Sequence, residues 1–265
     1  MKLNRIDRSY KKILYLFSIN ILFIACGSKQ DIVYFQNVDS VGVSRPIVNY
    51  SPVISPDDML TINVSALDQD AVRPFNLPVV TFVQESGEIG RSAQQTYLVD
   101  MEGNIYFPVL GTIQLGGLNR IQATSLIQDK LKEYVKDPIV NIRNINFKVT
   151  VLGEVNRPGS YTIPNERITI LEALGLAGDM TIQAERKNVL IIREEKGKKT
   201  YNRLDMTSEE IFNSPVYYLA QNDVIYIEPN NSKVKSSSVG PSTTTTLGII
   251  SLLLTSVALV TSITR

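Results

Sequence analysis

The chain of 265 residues has no histidine, no tryptophan and a single cysteine. Without histidine, the commonest general base, the commonest neutral metal ligand and every His-based triad are excluded. One cysteine allows neither an intrachain disulfide nor a thiolate metal cluster. The sequence therefore points away from an enzyme, and no cofactor or metal is expected. Charge of one sign is also missing, since the formal net charge is +1. It is unevenly placed: residues 1–25 hold Lys2, Arg5, Arg8, Lys11 and Lys12 against Asp7. Subtracting that +4 from the chain's +1 leaves about −3 for the body. A mildly acidic body gains nothing from counterion release, so nucleic acid is not an expected partner.

Long apolar runs are scarce, and the two present lie at the ends. Residues 1–25 have the pattern of a secretory signal, with a basic start and then an apolar run over 13–25 interrupted by Ser18 and Asn20. That run is short for a membrane span. It ends in Phe23-Ile24-Ala25-Cys26-Gly27, which resembles a bacterial lipobox with Phe23 in place of the usual leucine. The sole cysteine stands where that motif needs it, so Cys26 is the expected lipidation site. Acyl chains contribute about 0.8 kcal/mol per buried methylene, and several on one residue anchor a protein durably.

At the other end, residues 229–246 are rich in Ser, Thr, Asn and Pro and are expected to be a linker. Residues 247–263 carry no charge and are expected to form a transmembrane helix. Seventeen residues of helix reach about 25 Å, which suits a thin outer membrane better than an average one. At 100° per residue, Thr244, Gly248, Ser251, Thr255, Ala258 and Ser262 fall on one stripe of small or hydroxylated side chains. The stripe suits close helix packing or the wall of a hydrated pore in a ring of identical helices. The bland reading is an isolated anchor whose hydroxyls bond to its own carbonyls.

Between the ends, short strands mixed with single short helices predict an α+β fold with two small sheets. The expected organisation is an extended segment over 26–48, a first domain over 49–145 and a second over 146–228. The extended segment holds a candidate short strand at 32–35; in the first domain, 55–58 is a turn and 59–64 an alternating strand. Residues 66–95 have no clean period and predict a long irregular insertion. A hairpin is expected over 96–107 around Gly103, then a strand over 109–115. Asn119 and Gln122, in capping-box spacing, open a helix over 119–135, and a strand over 139–142 follows. The adjacent Asp57 and Asp58 suit turn chemistry better than a catalytic pair. The acidic turn 100–104 lacks calcium-loop spacing.

In the second, 147–152 and 160–163 are expected to be partner strands joined by a type II turn at 156–159. A short helix over 168–177 should stop at Gly178. A strand over 188–193, a turn at 196–198, one helical turn over 207–212 and a final strand over 223–227 complete the expectation.

Taken in order, these pieces resemble the outer-membrane polysaccharide export family, the Wza-type capsule and exopolysaccharide exporters. Ser55-Pro56-Asp57-Asp58-Met59-Leu60-Thr61-Ile62-Asn63-Val64 is similar to the family's PGD-x-L-x-I-x-V opening, with Asp57 where glycine is usual. The run from Val99-Asp100 through Gly103, Ile105 and Pro108 to Gly111 resembles V-D-x-x-G-x-I-x-x-P-x-x-G. Val149–Tyr161 resembles the opening of an SLBB, or soluble-ligand-binding β-grasp, domain. The larger exporters carry a second SLBB domain, and the sequence displays one. The resemblance implies a homo-oligomeric, octameric ring of lipoproteins at the bacterial outer membrane. Their folded domains would lie in the periplasm and their C-terminal helices would form an α-helical barrel. The polysaccharide would be the transported substrate, handed on by an inner-membrane copolymerase with tyrosine-kinase activity. Twelve tyrosines and no tryptophan do not suggest an aromatic sugar clamp. The alternatives are a lipoprotein that captures a soluble ligand through its SLBB domain, and a structural envelope protein with a second anchor.

Overall fold

The computed structural model describes residues 29–36, 38, 50–83, 89–195, 197–238, 245–246, 248–253 and 255–256. Cys26, Thr244, Ala258 and Ser262 lie outside them. The described residues bury two apolar clusters, one running from Ile54 to Ile142 and the other from Phe147 to Ile227.

The first cluster is built on β1 (Met59–Ser65), whose even-numbered side chains Leu60, Ile62 and Val64 point inward. Such alternation leaves one face of a strand for the core and one for solvent. A short helix α1 (Gln69–Val72) follows, started by Asp68, which accepts from the amides of Asp70 and Ala71. Next come β2 (Val79–Val83) and β3 (Ile89–Gln94), an antiparallel pair. Residues 66–95 are therefore not one irregular insertion but a helical turn and a hairpin.

The hairpin expected around Gly103 is also corrected. β4 (Tyr97–Leu98) pairs with β1, whereas β5 (Asn104–Phe107) pairs with β6 (Gly111–Gln114). The turn at 100–103 instead carries the chain from one sheet to the other. Asp100 Oδ1 accepts from the amides of Glu102 and Asn104 at 3.0 and 2.7 Å. Gly103 is required there: its φ is +84° and an added Cβ would lie 2.9 Å from Gly116 Cα. Helix α2 (Arg120–Leu131) starts with the expected capping box between Asn119 and Gln122 and buries Ala123, Ile127 and Leu131. It ends four residues before the expected limit. β7 (Ile139–Asn144) closes the three-stranded sheet in the order β4-β1-β7.

The second cluster sits under a five-stranded sheet in the order β12-β11-β14-β8-β9. Its strands are β8 (Lys148–Gly153), β9 (Gly159–Thr162), β11 (Ala184–Glu195), β12 (Lys198–Leu204) and β14 (Val224–Pro229). β14 and β8 run parallel and the other pairs are antiparallel. Two residues each of β10 (Ile168–Thr169) and β13 (Tyr218–Leu219) form a separate small pair. Helix α3 (Ile170–Leu176) buries Ile170, Ala173 and Leu174. It opens with a capping box of Thr169 and Glu172, and Gly178 follows it at φ +75°. Gly159, at the end of the expected turn 156–159, already belongs to β9, and Gly153, at the end of β8, holds φ +93°.

Two end segments also differ from expectation. Residues 29–31 form a 3-10 turn, and the chain continues through 32–36 without becoming a strand. The linker region holds helix α4 (Asn231–Ser238), in which the Ser236 and Ser237 hydroxyls donate to the Lys233 and Val234 carbonyls. Side chains that read as loop-forming by composition are absorbed there by the helix's own backbone.

Candidate functional site: the terminal stripe and the seam between the units

The stripe is described at Gly248, Ser251 and Thr255. Residues 248–253 are helical, as are 255 and 256. Ser251 Oγ donates to Gly248 O at 2.8 Å, and Thr255 Oγ1 lies 3.0 Å from Ser251 O and 2.9 Å from Leu252 O. Each hydroxyl hydrogen is thus directed inward, and the oxygen lone pairs remain outward as acceptors. Off the stripe, Ile249, Ile250, Leu252 and Leu253 are exposed. No helix among the described residues is long and apolar enough to cross a membrane.

The N-terminal segment is held on the second unit. Asp31 pairs with Lys187 at 2.7 Å, and Tyr34 Oη donates to Asp179 Oδ1 at 2.6 Å. The Gln36 amide donates to Thr207 O at 2.7 Å, and the Phe35 ring lies 5.2 Å from that of Phe212. Arg186 is buried beneath, its guanidinium 5.8 Å from the Tyr34 ring centroid. Burial and the Asp179 carboxylate both push the Tyr34 hydroxyl well above the ordinary tyrosine range. Helix α4 leaves the same unit, with Lys233 3.6 Å from Glu154.

The two units meet along a seam. Asn146 belongs to both: its Oδ1 accepts from the Met59 amide at 2.8 Å and its Nδ2 donates to Asp57 O at 2.9 Å. Its own carbonyl accepts from Gln221 Nε2 at 2.9 Å. Arg120 and Glu166 form an ion pair across the seam at 2.6 Å. Tyr50 and Tyr218 stack with centroids 5.0 Å apart and planes 6° from parallel. Beside them lies a cleft of about 480 Å³ that includes Ser51, Asn165, Arg167, Thr169 and Glu172. No local pattern marks this cleft, because its tyrosines lie far apart in the chain and follow no period.

Asp57 and Asp58 have separate backbone roles at the turn. Asp57 holds φ +67° at the turn, which explains why glycine is usual at that place in the motif. Asp58 is buried, and its Oδ2 accepts from the Ser55 amide at 2.9 Å. Burial pushes its carboxyl up, against the Ser55 amide and the Asn144 side chain, which favour the ionised form. The described residues contain no group of three or more potential acidic or sulfur metal ligands.

An antiparallel three-stranded sheet with α2 and a mixed five-stranded sheet with α3 make an α+β protein of two domains. Residues 47–144 match the polysaccharide biosynthesis/export protein family, and residues 148–202 match the SLBB domain family. A Ralstonia solanacearum protein, "EPS I polysaccharide export outer membrane protein EpsA", is 27% identical over 154 residues, covering 56% of this chain and 40% of that protein. A protein of the same name from Ralstonia nicotianae is 31% identical over 111 residues, covering 40% of this chain and 29% of its own length. The chain thus spans well under half the length of the curated relatives it matches. The two matched segments, in this order, and these relatives support membership of the Wza-type polysaccharide export family with an SLBB domain. Polysaccharide export family proteins are transport components rather than enzymes.

Proposed function

We propose that the chain is the subunit of an outer-membrane channel that exports capsular or extracellular polysaccharide through an oligomeric α-helical barrel. The observation that carries this reading is the small and hydroxylated stripe of Gly248, Ser251 and Thr255, set beside the exposed Ile249, Ile250, Leu252 and Leu253. Facing a lumen, the outward lone pairs accept hydrogen bonds from water and polymer hydroxyls, while the apolar flank meets lipid or the next helix. A single such helix cannot enclose a pore, so the reading requires a closed homo-oligomer, with an eight-membered ring as its expected form. The polymer would slide along a wide polar wall, and opening rather than chemistry would be the controlled step.

Cys26 is the proposed lipid site. It stands three positions before Lys29, a reach of about 10 Å at full extension. The hold of 31–36 on the SLBB domain and the exit of α4 from that domain both support placing it nearest the membrane. The export domain would then extend into the periplasm, toward an inner-membrane copolymerase with tyrosine-kinase activity. The domain limits proposed are 49–145 and 146–228.

Replacing Ser251 and Thr255 together by leucine tests the lumen. Export of polysaccharide by complemented cells should fall sharply while protein level and membrane fraction stay unchanged. Undiminished export would favour a plain anchor. The second reading, a lipoprotein binding a soluble ligand through its SLBB domain, is favoured by the cleft at Tyr218 and requires a monomer with a dispensable tail.

A further inference from the structure

The cleft at the seam has a composition that the export role does not account for. Its volume of about 480 Å³ falls in the ~300–1,000 Å³ range of small-molecule sites. One wall is apolar, made by the stacked Tyr50 and Tyr218. The rest is planar and polar, with Asn165, Glu166, Arg167 and Glu172. Two arginines and two glutamates balance when Arg120 at the rim is included.

Both carboxylates are already partly engaged. Glu166 Oε1 pairs with Arg120, and Glu172 Oε2 accepts from Thr169 N at 2.7 Å and Thr169 Oγ1 at 2.8 Å. Each keeps a second oxygen that can accept. Arg167 lies 5.3 Å from the Tyr218 ring centroid and forms no ion pair among the described residues, so its guanidinium fork is available as a donor. Carboxylate oxygens that accept, a fork that donates and an amide that does both can pair with neighbouring hydroxyls of one ring. A balanced site has no net attraction for a charged ligand.

We propose that this cleft binds an uncharged hexopyranose unit, so that one sugar of the passing polymer is held transiently at the seam between the two domains. The inference rests on the export reading and adds a contact site to it. Such an open site, with exposed Asn165 and Arg167, suits binding in the millimolar range, about −4 kcal/mol. Weak binding is compatible with sliding.

The test uses the full chain in detergent, titrated with cellotriose and with a trisaccharide bearing one uronate, and followed by saturation-transfer NMR. Cellotriose should bind saturably. Asn165→Ala and Arg167→Ala, both at exposed positions, should each weaken it about tenfold, while Lys198→Ala on the distant β12 leaves it unchanged. The proposal is overturned by absence of saturable binding, by indifference to both cleft substitutions, or by stronger binding of the uronate sugar. Export is measured separately in deletion cells complemented with the wild-type gene. A wild-type chain that restores export without binding cellotriose overturns this site alone, whereas failure to restore export counts against the channel reading.

Discussion

Tyr34 donates to Asp179 across 145 residues of chain, and this bond pins the start of the described chain to the SLBB domain. Asp179 itself holds φ +69° directly after Gly178, so the acceptor is fixed by the turn that ends α3. Tyr34→Phe keeps the ring and removes the donor. It should cost about 1 kcal/mol and raise amide exchange at residues 34–36, read by hydrogen–deuterium exchange. Unchanged exchange there would mean that Asp31 and Phe35 hold the segment without it.

Arg193 and Asp223 form the buried ion pair of the SLBB domain. Arg193 Nε lies 3.0 Å from Oδ1 and its Nη2 lies 2.7 Å from Oδ2, while Asp223 is fully buried and also accepts from the Ala220 amide. Arg193→Met would strand that carboxylate and should cost about 3–5 kcal/mol in urea unfolding. A loss below about 1 kcal/mol would mean that water or another cation reaches Asp223.

Gly153 ends β8 where the parallel partner β14 passes closest. A Cβ there would sit 1.9 Å from the Ile227 carbonyl oxygen, at a backbone φ of +93°. Gly153→Ala should therefore cost about 3 kcal/mol or more, or abolish soluble expression. Gly159, which meets nothing within 4 Å, should tolerate alanine far better, and equal losses at the two would contradict this account.

Much of the fold was legible because its signals are local. Asn119 with Gln122, and Gly178 after α3, mark helix ends by chemistry that needs no tertiary context. The alternation in 59–64 follows from one strand face being buried. Pairing was less legible: β4 and β5 are adjacent in sequence yet join different sheets, a choice made by β1 and by the close approach of Gly103 to Gly116. The motif residues also proved to serve the backbone. Asp57, Gly103, Gly111 and Gly153 all hold positive φ, so at these positions the family pattern records turns. The seam cleft was invisible because it is assembled from three distant segments.

Asp58 gives a pH signature. Burial raises its carboxyl above the unfolded value, so the folded chain holds that proton more tightly. Its contribution stabilises the fold at low pH and is lost as pH rises through the folded pKa. Asp58→Asn removes the titration, so the variant should gain on the wild type as pH climbs from about 4 toward neutral. Parallel stability curves for the two proteins would contradict the raised value.

The central claim is that water and polymer meet the Ser251–Thr255 flank inside a tube of several subunits. Negative-stain electron microscopy of the detergent-extracted protein tests it most directly. The account predicts closed rings with a central hole. Uniform single protomers at the same concentration would contradict it.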